Sequence, residues 1–312
     1  MLLTGGNGFL GSFIYKELIK DFKVIRFGSK EYDIRDYFQA KEIVEKYKPD
    51  YIVHAAARLG GIGDNKLNPA HYFYDNIMMG INMLNIASKI KLTKFVNIGT
   101  VCSYPKELPV PFKEENLWDG LPEPTNSAYG LSKKSVIDYS IALNKQFGFP
   151  CINLLLANLY GINDDFRDET SHVIPAIIKK IDFAIANKKK SISVWGDGTP
   201  TRDFLNVKDA ARAVKLALIS DHMDPFPVNI ATGKENTINK VITLIKDKMS
   251  FSGSINFDTS KPNGQPVRVL DIKKALSFFN FKANICLENG LNDVIIHFYN
   301  KKSKILNMKK KY

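Results

Sequence analysis

"TGGNGFLG", residues 4–11, decides the fold. It follows the short apolar run "MLLT" and leads straight into helix-like sequence that begins near Phe9. Gly5, Gly8 and Gly11 stand in G-x-x-G-x-x-G spacing. Glycines there permit a tight turn, let the backbone approach a pyrophosphate and allow the next helix to pack closely, while that helix's N-terminus offers free N–H groups and a positive dipole end. A glycine pattern alone is compatible with a merely structural turn. Between a strand and a helix it reads as a dinucleotide cradle made by Gly5, Gly8, Phe9, Leu10 and Gly11.

Working outward, "KVIRF", "YIVHAAA", "KFVNIGT" and "CINLLLAN" are further strand-like runs. Segments 10–20, 36–47, 70–90 and 127–147 between them have helical spacing. Parallel strands joined by helices are buried on both faces, which is why these runs are continuously apolar instead of alternating. The expected fold class is α/β, a Rossmann-type doubly wound parallel sheet with a smaller, interleaved α+β region. The expected division is a cofactor-binding domain over 1–160 and 203–231, with a substrate-binding region over 161–202 and 232–312. A helix is expected near 173–187, and "KPNGQP" reads as a loop in the C-terminal third.

The end of the second strand decides between cofactors. An acidic side chain there would hydrogen-bond a ribose 2′-OH, whereas a basic one accommodates a 2′-phosphate. Arg26 occupies the place, with no acid before Glu31, so NADP (NADPH) is expected. The alternative is an Arg26 that only snorkels at the sheet edge.

Composition sets the limits. The chain has 312 residues, 45% hydrophobic and 24% charged, an ordinary balance for a globular protein with a sizeable core. No apolar stretch approaches the roughly 20 residues of a membrane span, and the N-terminus lacks a secretory pattern, so a cytoplasmic protein with no membrane partner is expected. Cys102, Cys151 and Cys286 are too few and too scattered for a disulfide framework or a zinc cluster, and no metal is expected. The net charge of +12 does not argue for nucleic acid, because the last twelve residues, "KKSKILNMKKKY", carry six lysines and no acid.

"AYGLSKKS" places Tyr129 and Lys133 at i and i+4, on one helix face. A phenol ionises near pH 10 in water, and a neighbouring ammonium is expected to lower that value and let the pair move a proton to or from a carbonyl. Such a pair alone is common on solvated helices; downstream of a dinucleotide turn it reads as catalytic. Thr100, ending the preceding core strand, would offer a hydroxyl to the same oxygen. Alone, Cys102 would be core packing and His172 a structural histidine. His54 is expected to be packed near the cofactor, and Cys151 to be inert.

The motifs "TGGNGFLG", "AAARLGGIGDN", "CSYPK", "EPTNSAYGLSK", "NLYG", "SHVIPAI", "VWGDGTPTRDFLNV" and "KPNGQP" together resemble the extended short-chain dehydrogenase/reductases and, within them, the GDP-L-fucose synthase family, over nearly the whole chain. The resemblance implies NADPH-dependent C4 reduction of a GDP-linked 4-keto-6-deoxy sugar after 3,5-epimerisation, in a homodimer. Cys102 and His172 match the pair that exchanges protons at C3 and C5, with unperturbed pKa values near 8.5 and 6.5 suited to acid–base work. Tyr129 and Lys133 match a pair that contacts the cofactor, with Tyr129 giving the proton to O4 and Lys133 tuning it. The resemblance assigns Trp195, Arg202, Lys180 and Arg268, with His172, to the substrate; Lys180 stands where arginine is common.

This chain departs from the family where relatives usually read Gly-Ser-Ser-Cys. Here the residues are Gly99, Thr100, Val101 and Cys102, which is expected to remove polarity beside the reacting ring. Two alternatives therefore stand: a C4-reductase of a related GDP-4-keto-6-deoxy sugar such as a heptose, without full epimerase activity, and a non-catalytic dinucleotide-binding sensor. A 4,6-dehydratase would need acidic residues where Val101 and Cys102 stand.

Overall fold

The computed structural model describes residues 1–167, 170–261 and 263–309. Pro262 of "KPNGQP" and the last three residues of the lysine-rich tail lie outside them. The first half alternates strand and helix: β1 (Leu2–Thr4), α1 (Phe9–Leu18), β2 (Ile25–Arg26), α2 (Tyr37–Tyr47), β3 (Tyr51–His54), α3 (Ile62–Leu67), α4 (Pro69–Ala87), β4 (Lys94–Thr100), α5 (Ser127–Phe147) and β5 (Cys151–Leu156). There follow β6 (Asn158–Tyr160), α6 (Val173–Ala186), β7 (Ser191–Trp195), β8 (Thr201–Arg202), β9 (Phe204–Asn206), α7 (Val207–Ile219), β10 (Val228–Ile230), β11 (Asn236–Thr237), α8 (Ile238–Lys248), β12 (Ser254–Asp258), α9 (Lys273–Phe279) and α10 (Leu287–Lys309).

Six strands form one parallel sheet in the order β10-β5-β4-β3-β1-β2. The chain moves outward one way from β1 to β2 and the other way from β1 to β3. The C-terminal ends of β1 and β3 therefore flank a topological switch point, where open α/β sheets bind ligands. The doubly wound sheet expected from the apolar runs is present, and β4 and β5 are buried along nearly their whole length.

Local signals set the helices. Asp36 caps α2 by accepting from the N–H groups of Phe38 and Gln39, and Asn206 caps α7 through Lys208 N–H. On α5, Gly130, Lys133, Ile137 and Ser140 lie at three- and four-residue intervals on the buried side.

Buried side chains form distinct clusters. One joins Val53, Val96, Leu154 and Leu155 of the sheet to Ala210 and Val214 of α7. Another gathers Ile177 and Ile181 of α6, Val194 of β7, Ile242 of α8 and Leu291 of α10. The pair β7–β12 is parallel and β8–β11 antiparallel, and both stand apart from the large sheet. Among the described residues, no helix is long and apolar enough to cross a membrane.

Candidate active site

The turn after β1 is built around close backbone approach. Gly5 has φ of +66°, in the left-handed region, and its carbonyl accepts Gly8 N–H at 2.9 Å. A Cβ on Gly11 would lie 2.0 Å from that carbonyl oxygen, so no side chain fits there. Gly8 then starts α1 with no side-chain cap, leaving the helix N-terminus free for an anion. These residues fit a dinucleotide pyrophosphate.

Arg26 lies beside this turn. Its guanidinium sits 3.9 Å from the centroid of the Tyr15 ring, and Nη1 donates to Gly6 O at 3.4 Å. The first acidic residue after it, Glu31, is engaged locally, accepting Gly28 N–H at 2.7 Å. His54, at the end of β3, is 1% exposed and shares a 2.9 Å hydrogen bond with Thr4 Oγ1. Burial, with Lys133 nearby, lowers its pKa to about 3, so the ring is neutral.

The chemistry-bearing residues meet where β4 ends. Thr100 caps a 3-10 turn over Val101–Ser103, accepting Cys102 N–H at 3.2 Å. The start of α5 is pressed against that turn. A Cβ on Gly130 would stand 2.2 Å from Cys102 O, and Ser103 Oγ donates to Gly130 O at 3.0 Å. This contact places Tyr129, one residue earlier, with its phenol near the Thr100 hydroxyl.

The protonation of the pair differs from the sequence expectation. Burial pushes the Tyr129 phenol well above its usual range, with Cys102 adding to the rise and the Thr100 hydroxyl opposing it. Lys133 is 3% exposed, and burial lowers its own pKa to about 8. The phenol is accordingly a proton donor at neutral pH. Val101 also departs from expectation: it is 3% exposed and belongs to the apolar core under the sheet instead of bordering an open ring site.

Cys102 is partly exposed and sits between two donors from distant segments. Asn126 Nδ2 is 3.3 Å from the sulfur and Arg268 Nη1 is 3.4 Å from it. Gln265, 2% exposed, holds this arrangement. Its Oε1 accepts Arg268 Nε at 2.9 Å, its Nε2 donates to Lys106 O at 2.7 Å, and its own carbonyl accepts Arg202 Nη1 at 2.7 Å.

Arg202 and Arg268 are 9% and 6% exposed, and neither forms an ion pair with a carboxylate among the described residues. Burial first, and then the nearby Arg268, bring Arg202 down to about 9. Two buried guanidiniums close together, neither directly ion-paired, suit an anionic ligand.

The remaining expected residues come from the smaller region. His172 begins α6 as its N-cap residue and is part-exposed. Its Nδ1 lies 3.7 Å from Asp164 Oδ1. Burial disfavours the charged ring, but the partnership with Asp164 and the charge of Asp165 outweigh it and raise the pKa. Trp195, ending β7, is 55% exposed with Lys261 Nζ 5.9 Å from its ring centroid. Lys180 on α6 donates to Ser193 O at 2.9 Å. Cys151 is fully buried within β5, where burial raises its thiol to about 12.

Sequence reasoning did not single out Asn126, Gln265 or Asp164. Asn126 stands just before the Tyr129 motif and Gln265 within "KPNGQP", but the distances to Cys102 and Arg268 exist only in the folded chain.

With this geometry in view, the comparisons with known proteins are specific. Residues 1–231 match the model of the NAD dependent epimerase/dehydratase family. The chain belongs to this family. It is thus a dinucleotide-dependent enzyme of that kind, and the similarity continues past residue 231. GDP-L-colitose synthase of Yersinia pseudotuberculosis is 32% identical over 97% of this chain and 99% of its own. GDP-L-fucose synthase of Sinorhizobium fredii is 34% identical over 93% and 92%. Among solved structures, a GDP-L-fucose synthetase from Naegleria fowleri bound to NADP superposes with a TM-score of 0.86 at 28% identity, over 97% of this chain and 94% of that one.

Proposed function

We propose that the protein uses NADPH to reduce C4 of a GDP-linked 4-keto-6-deoxy sugar, after epimerisation at C3 and C5. The observation that carries this is the meeting of Thr100, Cys102 and Tyr129 at one strand end, with Arg268 on the cysteine sulfur. The similarity to GDP-L-fucose and GDP-L-colitose synthases supports the sugar class.

Arg26 would hold the 2′-phosphate of NADP over the Tyr15 ring, and the Gly5–Gly11 turn its pyrophosphate. When bound, the reduced nicotinamide supplies the hydride to C4. Tyr129, kept protonated by burial, gives its proton to O4, while Thr100 shares a hydrogen bond with that oxygen. Lys133, on the same face of α5, steadies the phenolate left behind.

Before reduction, the ketone acidifies C3–H and C5–H. Cys102 and His172 act as the acid–base pair for their exchange, and Thr100 and Tyr129 hold the enolate oxygen. Arg202, Arg268 and Lys180 bind the diphosphate, and the exposed face of Trp195 covers base or sugar.

A second reading is a C4-reductase of a related GDP-4-keto-6-deoxy sugar, including a heptose, with incomplete epimerisation. The similarity to a GDP-L-colitose synthase favours it. One experiment separates the two: incubation with GDP-4-keto-6-deoxymannose or its heptose analogue and NADPH in deuterated buffer, followed by NMR. Label at C3 and C5 of a reduced product supports the first reading. Reduction without label selects the second, and no reduction of either sugar rejects both.

We also propose that residues 1–160 and 203–231 form the cofactor part and 161–202 and 232–312 the substrate part. Two copies would pair through α4 and α5, which pack together beside the sheet.

A further inference from the structure

Asp164 is a buried carboxylate with little to satisfy it. Its side chain is 3% exposed. Oδ1 accepts the N–H of Asp165 at 2.7 Å, and among the described residues Oδ2 has no hydrogen-bond partner. Leaving a charged oxygen buried and unpaired is costly, so a partner is expected nearby. The group standing opposite is His172, whose Nδ1 is likewise buried without a hydrogen bond and lies 3.7 Å from Oδ1. That distance exceeds a hydrogen bond, and a shift of under about 1 Å closes it. Catalytic hydrogen bonds are often long before substrate binds and tighten in the complex.

The loop carrying Asp164 is held in place for this. Asn163 turns it with φ of +69°, and Asp164 N–H donates to Gly161 O at 3.3 Å. Asp165 accepts Thr170 Oγ1 at 2.5 Å, and Ser171 N–H donates to Arg167 O at 3.0 Å, folding the loop back onto the residue before His172. Gly61 N–H donates to Thr170 O at 3.2 Å, fastening it to the loop after β3.

We propose that Asp164 is the positioning residue of the epimerisation step: it holds the Nδ1–H of His172 and turns Nε2 toward the sugar ring. This rests on the reading of His172 as one member of the acid–base pair. With Nδ1 committed to a carboxylate, the neutral ring carries its free lone pair on Nε2, and the ring, once protonated, keeps its new charge beside Asp164. Among the described residues, the charged groups bearing on His172 are Asp164 and Asp165 from its own loop; Asp165 is shared with Arg167. From the facing loop, Asp64 is already engaged by Tyr72 and Asn68.

The test uses the full-length protein. Nitrogen-correlated NMR of the His172 ring, assigned by loss of its signals in His172→Gln, reports tautomer and titration without any substrate. The wild type is expected to carry the neutral proton on Nδ1, and Asp164→Asn to titrate at lower pH. With GDP-4-keto-6-deoxymannose in deuterated buffer, exchange at C3 or C5 is expected to fall about 10- to 100-fold in Asp164→Asn, with its His172-dependent limb moved to lower pH. A packing role alone leaves that limb in place.

A wild-type ring protonated on Nε2, or an Asp164→Asn ring that titrates like the wild type, overturns the proposal. The wild-type tautomer decides it even if the variant does not fold. Failure of the sugar reading has a different signature: the wild type then neither exchanges nor reduces the substrate, whatever the His172 ring shows.

Discussion

Arg268 Nη1 lies 3.4 Å from the sulfur of Cys102, although 166 residues separate them in the chain. The contact joins the loop before α9 to the end of β4. It gives the thiol a guanidinium neighbour, and Gln265 keeps that guanidinium aimed. In the proposed epimerisation, this contact sets a guanidinium beside the sulfur that would exchange the ring protons.

The first prediction concerns this sulfur. Cys102→Ser is expected to lower deuterium incorporation at C3 or C5 by about 10²-fold or more, the scale of one general acid–base group. Reduction of a substrate supplied with its stereocentres already inverted should continue. The check is NMR integration of C–H signals over a time course, and wild-type labelling in the variant would contradict the role.

Tyr129→Phe removes the proton donor and leaves the ring volume in place. Turnover at C4 is expected to drop by about 10²–10⁴-fold while KM for the sugar changes little. Steady-state NADPH oxidation measures both. Unchanged turnover would mean that another group protonates O4.

Arg26→Gln tests cofactor choice. A charged hydrogen bond to the 2′-phosphate is worth about 1.5–3 kcal/mol, so NADPH binding should weaken by about 10- to 100-fold, with NADH affected far less. Fluorescence titration with each cofactor reads the ratio. Equal losses for both would return Arg26 to a packing role on Tyr15.

His54 gives a pH prediction with a definite sign. Its pKa is about 3 in the folded protein and near 6.5 unfolded, so between those values the unfolded chain binds more protons. Its contribution is present above pH 6.5 and is lost as pH falls toward 3, with a slope approaching about 1.4 kcal/mol per pH unit. Urea melts between pH 7 and pH 4.5 should show this loss in the wild type and a flatter profile in His54→Gln. Parallel profiles would contradict it.

Much of the fold was legible because its signals are local. Apolar runs expected as strands became β1–β5, and the helical spacing over 127–147 became α5 without a shift at either end. Gly5, Gly8 and Gly11 read as a phosphate turn because strand, glycine spacing and helix all lie within a few residues. The helix expected near 173–187 appears as Val173–Ala186 for the same reason.

The electrostatics of the site were not legible. Adjacency on a helix suggested that Lys133 would lower the Tyr129 phenol, but both groups are buried, and loss of water outweighs one neighbouring charge. Val101 was expected to border the reacting ring, yet the 3-10 turn after Thr100 places it in the core. Spacing along one chain cannot report how far a side chain is removed from solvent.

By itself, the order of residues determined the parallel sheet, the dinucleotide turn and the types of group available for proton transfer, since each follows from backbone preferences and periodicity over short spans. Tertiary structure alone decided which of those groups meet. Gln265 beside Arg268, Arg268 on Cys102, and Asp164 facing His172 depend on packing between separate segments, where burial sets both the distance between charges and the strength of their interaction.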